Sequence, residues 1–260
     1  MKKKLGFALG SGGSRGVAHI GFLQAMEEEG IKPDYIAGCS MGSVVGAAYA
    51  RGLSIEEMRH ALQKLRLLDL IQPTKMRGGF FDPEKIKKIL IRYMGDPSFS
   101  MLKIPFRCIA TDMVTQEIVE FSEGKVLDGV MASSCIPAVF KPVEMGDKRL
   151  IDGGVLERVP YRQVKEMGAD VVVAVDVLGW RDCSEKMPNS LGVLVETVDI
   201  MDNARTKMKK ERDKDIYDFW LEPDLGNMSQ YYFGKFDFAY EKGYELGKAN
   251  AKKIKRKIKW

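Results

Sequence analysis

The residues best suited to chemistry are Gly38-Cys39-Ser40-Met41-Gly42, which read Gly-x-Ser-x-Gly. A short apolar stretch, Tyr35-Ile36-Ala37, precedes them, and the small, apolar run Ser43 to Arg51 follows. A strand entering and a buried helix leaving are what a nucleophile elbow requires, a tight turn that lifts a serine hydroxyl clear of the backbone. The glycines two places before and after the serine, Gly38 and Gly42, let two backbones pass closely. Such a hydroxyl is a poor nucleophile until a neighbouring base takes its proton. The chain has two histidines, His19 and His60. His60 falls in an amphipathic helix after Ser54, away from any motif, and reads as a surface residue. His19 lies one turn past a glycine-rich loop, near a strand end, and stays open as a base. In α/β-hydrolases, however, the histidine comes last in chain order, and here only His60 follows Ser40. Counting therefore all but excludes the ordinary triad.

An aspartate can serve instead. Its reference pKa of about 3.9 makes it a weak base in water, but partial desolvation and a tight hydrogen bond bring it nearer to useful basicity. Asp152 fits best: it ends the strand Arg149-Leu150-Ile151, and Gly153-Gly154 permit a sharp turn there. An ordinary Asp-Gly turn is the competing reading. Asp176, after Val171 to Val175, is a rival acid, and Asp112 a weaker one.

Ester cleavage also needs donors for the developing oxyanion. The loop Gly10-Ser11-Gly12-Gly13-Ser14-Arg15-Gly16 ends a strand and opens a helix, whose N-terminal dipole favours an anion. Gly12 and Gly13 are the expected donors. Arg15 either braces the loop by hydrogen-bonding carbonyls or stands at its mouth to attract an anionic head group. A nucleotide-binding reading of the loop is weak: Gly10-Ser11-Gly12 begins like G-x-G-x-x-G, but Arg15 occupies the third glycine's place, and no P-loop pattern is present.

These residues need elements to hold them. Leu5 to Leu9 reads as a strand, and a helix stopped by Gly30 follows the glycine loop. Ser54 with Glu57 forms a capping box. Asp82-Pro83 opens another helix. Arg107 to Thr111 and Ile118 to Phe121 read as a hairpin, and Val126 to Ser133 as a short helix. Pro160 starts a helix, and Val171 to Val175 is a fully buried strand. A long helix from Ser190 to about Lys210 carries Leu191, Leu194, Val198 and Met201 at helical spacing, and Ile216 to Leu221 reads as a last strand. Strands alternating with helices, without two-residue alternation in the most apolar strand, predict an α/β fold with a largely parallel sheet covered on both faces. With no repeat and no linker, residues 1–260 are expected to form one domain, with 237–260 a basic C-terminal helix.

The composition is that of a globular protein with a net charge of +5. Cys39, Cys108, Cys135 and Cys183 lie far apart without a CxxC pair, which argues against a disulfide framework or a zinc site and fits a reducing, cytoplasmic setting. The start, Met1 to Leu9, is too soon interrupted by glycine for a signal peptide, and no run of ~20 apolar residues suggests a membrane span. Residues 66 to 81, rich in Leu, Ile and Phe, read equally as a mobile flap or as a loop anchored in the core. The tail Lys252 to Trp260 places Ile254 and Ile258 on one helix face among basic residues. It suits peripheral contact with an anionic membrane, or is simply a solvated helix end. A nucleic-acid partner is not expected, since no base-stacking module accompanies the tail.

Together the glycine loop ending Arg15-Gly16, the elbow Gly38 to Gly42, Asp152-Gly153-Gly154 and the segment Ala132-Ser133-Ser134-Cys135-Ile136-Pro137 resemble the patatin-like phospholipases, in particular small bacterial members. The resemblance spans roughly residues 5 to 180. It implies a three-layer α/β/α fold, a Ser40–Asp152 dyad, an oxyanion hole at Gly12 and Gly13, and cleavage of acyl esters of phospholipids, lysophospholipids or simpler lipids without calcium or another cofactor. Ser11 departs from plant members, which have a further glycine there. A regulatory or lipid-binding protein that keeps the fold with little turnover is the alternative.

Overall fold

The computed structural model describes residues 3–64, 84–179 and 190–259. The sequence-based expectations for residues 66–81, the Asp82-Pro83 cap, Cys183 and Trp260 lie outside the described residues.

The chain begins with β1 (Leu5–Leu9), α1 (Ala18–Glu28), β2 (Tyr35–Cys39), α2 (Met41–Arg51) and α3 (Ile55–Lys64). Next come α4 (Glu84–Met94), β3 (Phe106–Asp112), β4 (Ile118–Phe121), α5 (Val126–Ser133), β5 (Val143–Met145) and β6 (Lys148–Asp152). It closes with α6 (Tyr161–Glu166), β7 (Val171–Val175), α7 (Ser190–Arg212), β8 (Phe219–Leu221) and α8 (Phe236–Lys259). The sheet order is β5-β6-β3-β2-β1-β7-β8, with β4 paired to β3. Pairing is parallel from β3 through β8 and antiparallel where β3 meets β4 and β6 and where β5 meets β6.

Both faces of the central strands are covered, which is why β1 and β7 are apolar throughout. Leu5, Phe7, Leu9, Val171, Val173 and Val175 pack with α1, α2 and α8. Ala8, Val172 and Ala174 face Tyr161, Val164 and Trp220 on the other side. The result is an α/β/α sandwich whose sheet is parallel at its centre and mixed at one edge. Ser54 and Glu57 make the expected capping box, each backbone N–H bonded to the other's side chain. Strand β8 (Phe219–Leu221) is shorter than expected: at its start the Asp218 amide donates to the Val172 carbonyl, but the Val172 amide is taken by the Asp218 carboxylate and not by a backbone carbonyl.

One feature of register positions the chemistry. Strand β4 pairs with Cys108 to Thr111 of β3. On the opposite edge of β3, β2 lies beside Phe106 to Ile109, and β6 lies beside Ala110 to Asp112. The two run head-on along one edge: Cys39 pairs with Ile109, and Asp152 pairs with the next residue, Ala110. Residues 40 and 152 therefore meet at the carboxyl ends of the parallel strands, although they arrive from opposite directions.

Helix α8 runs alongside α1, with Gly243 against the backbone of Ala18 and Gly247 against Ala25. Its basic end reaches Ile258, whose carbonyl accepts from the Lys3 amide just before β1. That end lies at the amino edge of the sheet, away from Ser40. Ile254 and Ile258 are buried in the core.

Candidate active site

Ser40 is a non-glycine residue with φ 52° and ψ −125°, between the end of β2 and the first turn of α2. A side chain there is strained, and such strain persists only where the surroundings fix it. Here the Ser40 amide donates to Ser133 Oγ at 2.9 Å, and its carbonyl accepts from the Ser43 amide and hydroxyl at 2.8 and 2.6 Å. Ser40 is 3% exposed.

The Ser40 side chain lies near enough to the Asp152 carboxylate to favour its charged form. Asp152 is 5% exposed; its Oδ1 accepts from the Gly154 amide at 2.8 Å, and its own amide donates to the Cys135 carbonyl. Burial pushes the Asp152 carboxyl up to about 6, against the hydrogen bonds from Ser40 and Gly154 that favour the charged form; the nearby Asp202 carboxylate adds to the rise.

The glycine loop closes the third side. The Gly10 amide donates to the Val175 carbonyl, Ser11 to Arg158, Ser14 to Gln230 and Arg15 to Gly12. Among the described residues, the amides of Gly12 and Gly13 donate to nothing. The loop abuts the elbow, since a Cβ on Gly16 would meet Met41, and Ser11 lies against Gly154.

The other candidates are accounted for. Arg15 is buried; its Nε donates to the Val177 carbonyl at 2.6 Å and its Nη1 to the Met228 carbonyl at 3.2 Å. It braces the loop and does not stand at the mouth. His19 is fully buried, and burial pushes its imidazole down to about 4. Because Gly10 offers only a carbonyl, Nε2 of the neutral ring donates to it at 2.8 Å. His19 thus holds the loop and is turned away from base duty. His60 is exposed beside Tyr93. Asp176 is paired with Arg158 at 2.8 Å, and Asp112 caps the turn at Val114. Among the described residues, no group of three or more His, Cys, Asp or Glu side chains could hold a metal ion.

Sequence reasoning missed three supports. Ser133 fixes the Ser40 amide; the segment Ala132 to Pro137 stands out as family-like, but nothing in it points to this role. Gln230 binds the Ser14 amide through its carbonyl and Asp199 through its side chain. Arg205 of α7 donates to the carbonyls of Gly154 and Val155, and Asp202 joins it and Arg158. Both lie far along the chain in segments without a motif.

Arg15 yields a direct test. Replacing it with leucine keeps apolar bulk but leaves the buried carbonyls of Val177 and Met228 without this donor. Arg15→Leu is expected to cost about 3 kcal/mol of stability, read from denaturant unfolding. An unchanged midpoint would mean that the carbonyls find other donors.

A hydroxyl beside a carboxylate of raised basicity, with free amides alongside at a helix start, has the parts that acyl transfer needs. The solved structure of VipD from Legionella pneumophila matches 97% of this chain and 67% of its own at a TM-score of 0.65, with 12% identity, a likeness of fold. An uncharacterized NTE family protein of Mycobacterium bovis is 36% identical over 68% of this chain and 49% of its own length. The lysophospholipase nte1 of Aspergillus fumigatus is 28% identical over 97% of this chain. The chain spans about half the length of the mycobacterial relative and 18% of the fungal one. The family model described as patatin-like phospholipase matches residues 7–165, more than half of the chain, and the chain belongs to that family.

Proposed function

We propose that this chain is a serine acyl-ester hydrolase acting on lipids, in which Ser40 is the nucleophile and Asp152 its base. The observation that carries this reading is the strained Ser40, within reach of a buried carboxyl raised to about 6. Asp152 accepts the Ser40 proton as the oxygen attacks the ester carbonyl carbon. The amides of Gly12 and Gly13 stabilise the tetrahedral oxyanion. The proton passes to the leaving alcohol or lysolipid as the ester bond breaks, and water, deprotonated by Asp152, hydrolyses the acyl-enzyme. The likeness to a fungal lysophospholipase favours a lysophospholipid among the lipid esters.

A fluorophosphonate probe tests the nucleophile. Wild type is expected to label and Ser40→Ala not to label, with turnover of p-nitrophenyl esters falling at least about a thousandfold. Equal labelling of the two proteins would refute the assignment. The alternative of a patatin fold with little turnover predicts labelling without ester cleavage, so graded-chain esters separate the two.

Peripheral membrane contact belongs to the same reading. Among the described residues no helix is long and apolar enough to cross a membrane. The burial of Ile254 and Ile258, and the place of the basic tail at the far edge of the sheet, turn attention from that tail to the face that holds Ser40.

A further inference from the structure

Helix α7 touches both halves of the site. Its Arg205 donates to the carbonyls of Gly154 and Val155, beside Asp152. One and a half turns earlier, Asp199 accepts from Gln230, whose carbonyl holds the Ser14 amide of the glycine loop. The face that carries Arg205 continues toward the N-terminus as Met201, Val198 and Leu194, at steps of four, seven and eleven residues. At ~1.5 Å per residue, Leu194 lies ~16 Å beyond Arg205. The C-terminal half of this face is tied down by Arg205 and by Lys209, which donates to the Leu156 carbonyl. In the N-terminal half the described large apolar side chains are open. Leu194, Val198 and Met201 are 64%, 63% and 67% exposed, and Ile200 is 66% exposed. Tyr232, two residues after Gln230, is also exposed.

Scattered exposed apolar residues are ordinary, but several large ones in two helical turns mark a contact surface. We propose that the Leu194–Met201 half of α7 is where the protein docks on the surface of a lipid aggregate, so that the ester enters the site from the interface. This proposal rests on the lipid-hydrolase reading. The occupant is chosen by position and charge. The stripe is continuous with the turn that carries Asp152, and a water-insoluble ester must arrive there. Along α7 itself, the charged residues of this half are the acids Glu196, Asp199 and Asp202, with no lysine or arginine between Ser190 and Arg205. Anion attraction is therefore not its basis. Burial of apolar side chains at a zwitterionic surface is, and such binding responds little to salt.

The test is flotation of the Ser40→Ala protein, which leaves the lipid intact, with phosphatidylcholine vesicles. The protein is expected to float, with partitioning changed less than about twofold between low and high salt. Adding Leu194→Ser, Val198→Ser and Met201→Ser is expected to weaken partitioning by at least about tenfold, because three apolar side chains no longer enter the interface. All three side chains are exposed, and an unchanged thermal melt confirms that the variant is folded. Replacing Lys252, Lys253, Lys255 and Lys257 with glutamine is expected to leave flotation unchanged. Equal flotation of the triple-serine protein, no flotation of the parent, or flotation only with anionic vesicles and lost in salt would each overturn the proposal. So would a dimer, seen by light scattering, that the serine changes dissociate while vesicles go unbound. Failure of wild-type labelling by the fluorophosphonate is a separate result, and strikes the hydrolase reading and not the docking surface.

Discussion

Asp152→Asn is expected to reduce ester turnover by about a thousandfold while making the folded protein more stable at neutral pH. The two effects share one cause. Asp152 is almost wholly buried, and burial raises its carboxyl from 3.8 to about 6. A folded-state value above the unfolded one means that the group's contribution is most favourable below about 3.8 and is lost as pH rises through about 6. Above that range, keeping the charge buried costs about 3 kcal/mol. Asparagine cannot ionise, and its Oδ1 can still accept from the Gly154 amide. After allowance for a weaker bond to Ser40, a gain of ~1–2 kcal/mol at pH 7 is expected, shrinking toward pH 4. Unfolding at the two pH values measures it.

With Asp152 as the proposed base, the same raised value would set the pH dependence of ester cleavage. The base acts only when ionised, so kcat/KM for an ester is expected to be half-maximal near pH 6 and to fall about tenfold per pH unit below it. A flat profile between pH 5 and 8, or an Asp152→Asn protein that keeps a tenth of wild-type turnover, would remove Asp152 from the base role.

Why Asp152 stands out in the sequence as a candidate, while its setting does not, follows from the range of each signal. The elbow and Asp-Gly-Gly are local turn chemistry, and each glycine reports its own backbone. The scarcity of histidine is a count. The direction of β6 is different: Arg149 to Asp152 reads the same whether it joins β3 parallel or antiparallel, and only the ladder shows that it meets β2 end to end. Arg15 had two readings, and burial under carbonyls from residues 177 and 228 decides between them. Ser133 and Gln230 act through hydrogen bonds over long sequence distances; the motif around Ser133 does not disclose its bond to Ser40, and the segment around Gln230 carries no motif at all. The stripe of α7 shows a related limit. Spacing identifies a helix with an apolar face, but the same spacing serves a face buried in a core and one left open at the rim of a site.

The local signal that does carry three-dimensional weight is Gly42, and Gly42→Ala is expected to be severely damaging to both stability and turnover. Helix α2 begins where it crosses the end of β1. A Cβ at residue 42 would stand 2.1 Å from the Leu9 carbonyl oxygen and 2.6 Å from that of Gly10. Both contacts are backbone, so no side chain can swing away; either α2 lifts off the sheet or the glycine loop is pushed outward. Overpacking of this kind costs about 3 kcal/mol or more. Whichever part yields, Ser40 moves relative to the Gly12 and Gly13 amides, and a displacement near 1 Å costs about a hundredfold in rate. Gly46→Ala supplies the control. One turn further along α2, its Cβ would meet ring and methyl carbons of Phe106 and Ile36 at 3.0 and 3.1 Å, side chains that can shift by tenths of an ångström. The expected order is a small loss for Gly46→Ala and a large one for Gly42→Ala, in both melting temperature and turnover. Equal, mild effects would show that the crossing of α2 over β1 has slack, and that the close fit of elbow and glycine loop is not what sets the geometry around Ser40.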